Sequence, residues 1–221
     1  MSDTTTAGPT QAAPAEWPEF PGEYERTHQA LVEQAHAGPS HVVFLGDSIT
    51  QGWDPAVWAE RGEPLGAVNM GIGGDQTQNV LWRIDHGALD GINPRLVVLM
   101  IGVNNLWTLE WTADEIAAGI ARIVERIQGK RPGAKILVLG ILPTQAMPDN
   151  PLRTLMEAIN RRGAALDNGA TVHFRDIGAA LLEPDGTLTT DIEPDGCHLS
   201  PEGYRRVADA IAPTVRALLA E

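Results

Sequence analysis

HVVFLGDSIT, residues 41–50, is an unbroken apolar run that stops at a glycine, an aspartate and a serine. An apolar run without polar alternation suits a strand covered on both faces, as in a parallel sheet. Gly46-Asp47-Ser48 then makes a small turn that leaves a hydroxyl at the strand's carboxyl end. A plainer reading of the tripeptide is that Asp47 or Ser48 caps a following helix.

Working outward, the same rhythm recurs. Residues 65–70, 96–101 (LVVLMI), 136–139 (ILVL) and 171–174 (TVHF) read as further strands. Helical patterns fall between them at 76–84, 112–128, 150–166 and 200–219. In the second of these, Ile116, Ile120, Ile123 and Ile127 recur at spacings of four and three. Ser200-Pro201-Glu202 forms a cap and first turn for the last. An opening helix at 24–37, with Leu31, Val32 and Ala35 on one side, ends at Gly38-Pro39. Strand–helix alternation predicts an α/β fold with a parallel sheet of about five strands and right-handed crossovers. Residues 1–18, rich in Thr, Ala, Pro and Gln, are expected to form a flexible tail ahead of a single domain at 19–221.

Bulk properties narrow the function. The chain of 221 residues is 43% hydrophobic and 20% charged, ordinary for a globular protein. With 29 acidic against 16 basic residues the net charge is −13, which repels nucleic acid and anionic membranes. Cys197 is the lone cysteine, so no intramolecular disulfide forms and a reducing compartment is compatible. Residues 1–14 have no basic and apolar leader pattern, which points to a cytoplasmic protein. No apolar run of about 18 residues exists to insert in a membrane.

In parallel α/β sheets, functional groups sit just past the carboxyl ends of strands. Four polar blocks fall at strand ends or just before the last helix. Gly46-Asp47-Ser48 supplies a hydroxyl. Asn69-Met70-Gly71-Ile72-Gly73-Gly74-Asp75 exposes backbone N–H groups, suited to an oxyanion hole, a phosphate or flavin cradle, or merely a tight turn. Gly102-Val103-Asn104-Asn105 places an amide past a buried strand, as an electrostatic donor or a turn residue. Asp195-Gly196-Cys197-His198 lets a carboxylate hold an imidazole across one turn, unless it is an incidental surface loop. Together they supply the parts of acyl transfer: a nucleophile, a base, an orienting acid and oxyanion donors.

At these blocks, in this order, the chain resembles the SGNH (GDSL-type) hydrolase family over nearly all its length after the N-terminal tail. NMGIGGDQTQNVLWRI (residues 69–84), GVNN (102–105) and LGILP (139–143) resemble the branch containing the α subunits of platelet-activating-factor acetylhydrolase Ib and bacterial relatives. The resemblance implies a flavodoxin-like three-layer α/β/α sandwich. It implies Ser48 as nucleophile, His198 as base and Asp195 as its partner. It also implies oxyanion donors at Ser48 N–H, Gly74 N–H and the Asn104 side chain. Relatives need no metal or organic cofactor, cleave acetyl or other short acyl esters of lipids, sugars or small molecules, and often form homodimers. Cys197 departs from the pattern, where a larger apolar residue is expected; it reads as a small buried filler.

Six tryptophans are present. Trp53, Trp107 and Trp111 follow the nucleophile turn and the Asn104 loop, and are candidates for lining the site entrance against an acyl chain or sugar face. Trp58 and Trp82 read as core. Asp85, His86 and the 176–193 loop read as solvated surface. His28, His36, His41 and His173 show no metal-ligand spacing. Rival readings are acyl transfer to a carbohydrate hydroxyl, a non-catalytic lipid- or carbohydrate-binding member, and a flavin protein of the same topology.

Overall fold

The computed structural model describes residues 7–220. Its five strands are β1 (Val42–Gly46), β2 (Ala67–Gly71), β3 (Leu96–Met100), β4 (Lys135–Leu139) and β5 (Val172–Arg175). All pair in parallel, in the order β2-β1-β3-β4-β5. Every residue of β1 and β3 is buried, as their unbroken apolar runs require.

The major helices are α1 (Glu23–Ala37), α4 (Thr77–Asp85), α6 (Ala113–Lys130), α7 (Pro151–Gly163) and α8 (Pro201–Ala220). Helices α4, α6 and α7 pack in succession. The isoleucines read from the sequence are all buried on the inner face of α6. That helix begins in a reciprocal cap between Thr112 and Glu115. Asn150 caps α7, with Pro151 in its first turn. Ser200 Oγ accepts from Gly203 N at 3.1 Å at the head of α8, the cap expected there.

Three short helices lie outside the four long helical stretches and the opening helix delimited from the sequence: α2 (Ser48–Gln51), the helix that capping by Asp47 foresaw, α3 (Pro55–Arg61) and α5 (Val103–Thr108). Each is seven residues or fewer, too short to show an apolar period.

The N-terminal stretch also differs from the expected tail. Residues 1–6 lie outside the described residues, but those from Pro9 onward are tied to α4. Thr77 Oγ1 donates to Pro9 O (2.9 Å), Ala13 N to Gln78 O (3.1 Å) and Asn79 Nδ2 to Ala13 O (3.0 Å). Trp17 meets Tyr24 edge-on at 5.4 Å. The segment is held by backbone hydrogen bonds, which leave no mark in composition.

Neighbouring strands in the order β2-β1-β3 leave β1 from opposite sides of its carboxyl end, where such sheets open a crevice. Gly46 sits there, in register with Gly71 and Met100. A Cβ on Gly46 would lie 2.2 Å from Met100 O and 2.3 Å from Thr50 Oγ1. Backbone on one side and a packed threonine on the other leave no relief. Gly46→Ala is therefore expected to destabilise the fold by about 3 kcal/mol or more, read as a lower urea midpoint.

Candidate active site

Ser48 is the first residue of α2, directly after β1. Asp47 caps the turn by accepting from Ile49 N at 3.0 Å. So the plain capping role considered for Asp47 is present, and it is what presents Ser48. Tyr204 of α8 supports the same turn from beneath, donating its hydroxyl to Ile49 O at 2.9 Å.

His198 comes from the loop before α8. Its Nε2 is 2.9 Å from Ser48 Oγ, and its Nδ1 is 2.7 Å from Asp195 Oδ2. Asp195 Oδ1 accepts from the backbone N–H groups of His198 (2.7 Å) and Cys197 (2.9 Å). These backbone donors, the His198 N–H foremost, together with the imidazole, hold the Asp195 carboxyl down at about 2 despite a small desolvation cost. It is therefore ionised at neutral pH and can keep Nδ1 protonated, leaving Nε2 to accept from Ser48.

Gly74 follows β2 with φ of +81°, a left-handed conformation that glycine adopts without strain. The loop is held by side chains from both sides. Gln51 Oε1 accepts from Gly73 N (2.9 Å), and Asn69 bridges Thr50 O (2.7 Å) and Gly71 N (2.9 Å). Asn104, in the first turn of α5, donates from Nδ2 to Asp75 O at 2.8 Å. That bond uses one of its two amide protons.

Ser48, Gly74, Asn104, Trp107, Asp195, Cys197 and His198 together line one open cleft of about 440 Å³. The four blocks picked out in the sequence thus meet at a single place. Among the described residues, no group of three or more His, Cys, Asp or Glu is arranged to hold a metal ion.

The tryptophans divide. Trp107 lines the cleft and is 41% exposed. Trp53 does not: it is buried against Tyr204 (5.1 Å) and Phe44 (5.8 Å) and faces a separate cavity of about 230 Å³ between α3 and α8. The one turn of α2 carries the chain away from the cleft before Trp53 is reached. Trp111 is half-buried, and its indole N–H is enclosed without a partner; it packs near Gly8 of the N-terminal segment. Cys197 is half-buried, and burial pushes its thiol up to about 12, which favours the protonated form at neutral pH.

Several supporting residues escaped the sequence reading. Asp75 and Arg83 form an ion pair at 2.8 Å with both side chains fully buried. An arginine on the buried side of α4 was the available signal. Glu193, placed in a solvated loop from sequence, is 4% exposed with Oε2 lacking a partner. Burial raises its carboxyl to about 8, against the pull of Arg153.

A parallel sheet with a serine, imidazole and carboxylate chained at its carboxyl edge, beside a glycine loop and an asparagine, defines an acyl-hydrolase class of protein. The model of the GDSL-like lipase/acylhydrolase family matches residues 44–206, and the chain belongs to that family. It is 37% identical over 202 residues to human platelet-activating factor acetylhydrolase IB subunit alpha1, covering 90% of this chain and 86% of that protein. A putative acylhydrolase from Bacteroides fragilis superposes with a TM-score of 0.73 at 23% identity, covering 92% of this chain and 99% of that one. A carbohydrate acetylesterase from Sinorhizobium meliloti superposes with a TM-score of 0.63 at 25% identity, covering 80% and 98%. The chain is a carboxylic ester hydrolase by class.

Glu193 supplies a test of the electrostatics behind the site. A carboxyl whose pKa is higher in the folded state binds its proton more tightly there than in the unfolded chain. Its contribution to stability is full below the usual 4.5 and is lost as pH rises through about 8. Glu193→Gln, neutral at all pH values, should be more stable than wild type at pH 8, with the advantage shrinking towards pH 4.5. Thermal melts at the two pH values check this; an equal shift at both would assign the titration elsewhere.

Proposed function

We propose that this protein is a serine esterase that hydrolyses short-chain, acetyl-type carboxylic esters through an acyl-Ser48 intermediate. The observation that carries the reading is the continuous chain from Ser48 Oγ through His198 to Asp195, at 2.9 and 2.7 Å. Ser48 Oγ attacks the ester carbonyl as its proton passes to His198 Nε2. Asp195 stabilises the imidazolium. The oxyanion is received by the N–H groups of Ser48 and Gly74 and by the free amide proton of Asn104. Collapse releases the alcohol, which takes the proton from His198. Water then attacks the acyl-enzyme, with His198 again as base, and acid leaves from Ser48.

Short acyl groups are favoured by the cleft. It is open, and among the described residues Trp107 is the only large apolar side chain lining it. Among the described residues none lines an apolar tunnel there to hold a long chain. The human relative is named an acetylhydrolase and the Sinorhizobium meliloti neighbour is described as an acetylesterase, which supports the same acyl class. Trp107 then provides an apolar face for the acyl methyl or for the alcohol. Among the described residues no helix is long and apolar enough to cross a membrane.

Hydrolysis of p-nitrophenyl acetate, butyrate and octanoate should fall with chain length. Ser48→Ala should lower kcat by at least about 10³-fold while the fold persists. Near-native turnover in that variant defeats the assignment. Asp195→Asn should cost about 10²–10⁴-fold in kcat with KM little changed, because Nδ1 then loses its anionic acceptor and the tautomer is no longer fixed; product analysis with added sugar distinguishes hydrolysis from acyl transfer.

A further inference from the structure

Directly behind the glycine loop lies a buried polar cluster with no atom in the cleft. Tyr24, Asp75 and Arg83 are 1%, 0% and 0% exposed. Arg83 Nη1 donates to Asp75 Oδ2 at 2.8 Å, and the Tyr24 hydroxyl donates to Asp75 Oδ1 at 2.8 Å. Both carboxylate oxygens are therefore engaged, from α4 on one side and α1 on the other. The same guanidinium reaches the ends of two strands: Nη2 donates to Met70 O of β2 (2.6 Å) and Nη1 to Gly46 O of β1 (3.4 Å).

Asp75 faces the site through its backbone. It follows Gly74, and its carbonyl accepts from Asn104 Nδ2 at 2.8 Å. Its side chain is thus fixed inside the protein while its main chain touches the groups that line the cleft. Stability alone is a poor reason for such a cluster. Well-packed apolar residues often match or exceed a buried ion pair, and here Arg83 Nε is also buried without a partner. The cluster spends polar burial on a defined geometry at one loop.

Resting on the serine-esterase reading above, we propose that Tyr24, Asp75 and Arg83 are positioning residues for the oxyanion pocket. They hold the Gly74 N–H and, through Asp75 O, the Asn104 amide in register with Ser48. Arg83 sets the loop against the ends of β1 and β2. Tyr24 fixes the carboxylate rotamer from α1. Asn104 is thereby oriented with one amide proton on Asp75 O and the other free for the developing oxyanion. The effect of loosening the cluster falls on the transition state, where the donors matter, and spares substrate binding.

Two variants test this. Tyr24→Phe removes one hydroxyl and keeps the ring. Asp75→Leu combined with Arg83→Met replaces the ion pair by apolar groups and leaves no uncompensated charge. Expected are a kcat lower by about 3–10-fold in the first and about 10–100-fold in the second, short of the about 10²–10³-fold for losing one oxyanion donor outright, because the donors are misplaced and not removed. KM should stay within about twofold, and affinity for a trifluoromethyl ketone, which forms a tetrahedral adduct on serine, should fall in parallel with kcat. Deuterium exchange at the backbone amides of residues 72–76 should quicken in Tyr24→Phe by more than at the amides of β1 and β3, beyond what the lower global stability from the lost hydrogen bond produces. Unchanged kcat and ketone affinity, with only a shifted melting temperature, would make the cluster purely structural and overturn the proposal. Unchanged exchange at residues 72–76 in Tyr24→Phe overturns it too, even if wild type turns over no ester. A wild type inert to every ester and to the ketone defeats the esterase reading instead.

Discussion

Gly46 ends β1 between two neighbouring strands, in register with Gly71 on one side and Met100 on the other. Only hydrogen fits there, since a Cβ would press on Met100 O and on Thr50. The chain therefore turns at once, Asp47 closes the turn, and Ser48 emerges where the sheet order sends its connections to opposite sides. The glycine loop leaves β2 on one flank and the Asn104 turn leaves β3 on the other, so each arrives at Ser48 by strand register. His198 has no strand to place it. It depends on the two backbone N–H groups that fold its loop around Asp195 and on α8, whose Tyr204 also props the Ser48 turn.

The ionisable groups at and behind the cleft divide into half-exposed and enclosed ones. The side chains of His198 and Asp195 are about half exposed, at 48% and 56%. Asp47, Asp75 and Arg83 are almost fully enclosed. In low dielectric their hydrogen bonds are stronger and less easily traded for water, which suits groups that hold geometry. Burial raises the carboxyls of Asp47 to about 7 and Asp75 to about 6, while the exposed Asp195, bonded to backbone N–H groups, goes the other way. Carboxylates near one cleft thus occupy opposite regimes because of where the fold puts them.

Reading the linear sequence succeeded where a signal is local or periodic. The apolar runs located all five strands to within about two residues, and the isoleucine spacing located α6. The Ser48, Gly74, Asn104 and Asp195–His198 blocks were visible because unusual polar groups stood where apolar runs stopped. It missed what is neither local nor periodic. Trp53 looked like a cleft residue from its nearness to Ser48 in sequence, yet the turn of α2 sends it to the opposite side. Glu193 looked solvated because its loop is polar, yet tertiary packing encloses it. The segment around Pro9 to Ala13 looked unstructured because it is tied through its own backbone groups to α4, more than sixty residues away.

By itself, then, the sequence determined the α/β class, the parallel pairing implied by doubly buried strands, and the identity of the groups gathered at the strand ends. These follow from hydrophobic periodicity and turn chemistry, which act over a few residues. Only the tertiary structure decided the distances from Ser48 to His198, the division of the tryptophans between cleft and core, and the enclosure of Tyr24, Asp75 and Arg83 as one unit. Each of those joins residues dozens to a hundred and fifty positions apart, and burial, hydrogen-bond geometry and dielectric exist only once the chain has packed.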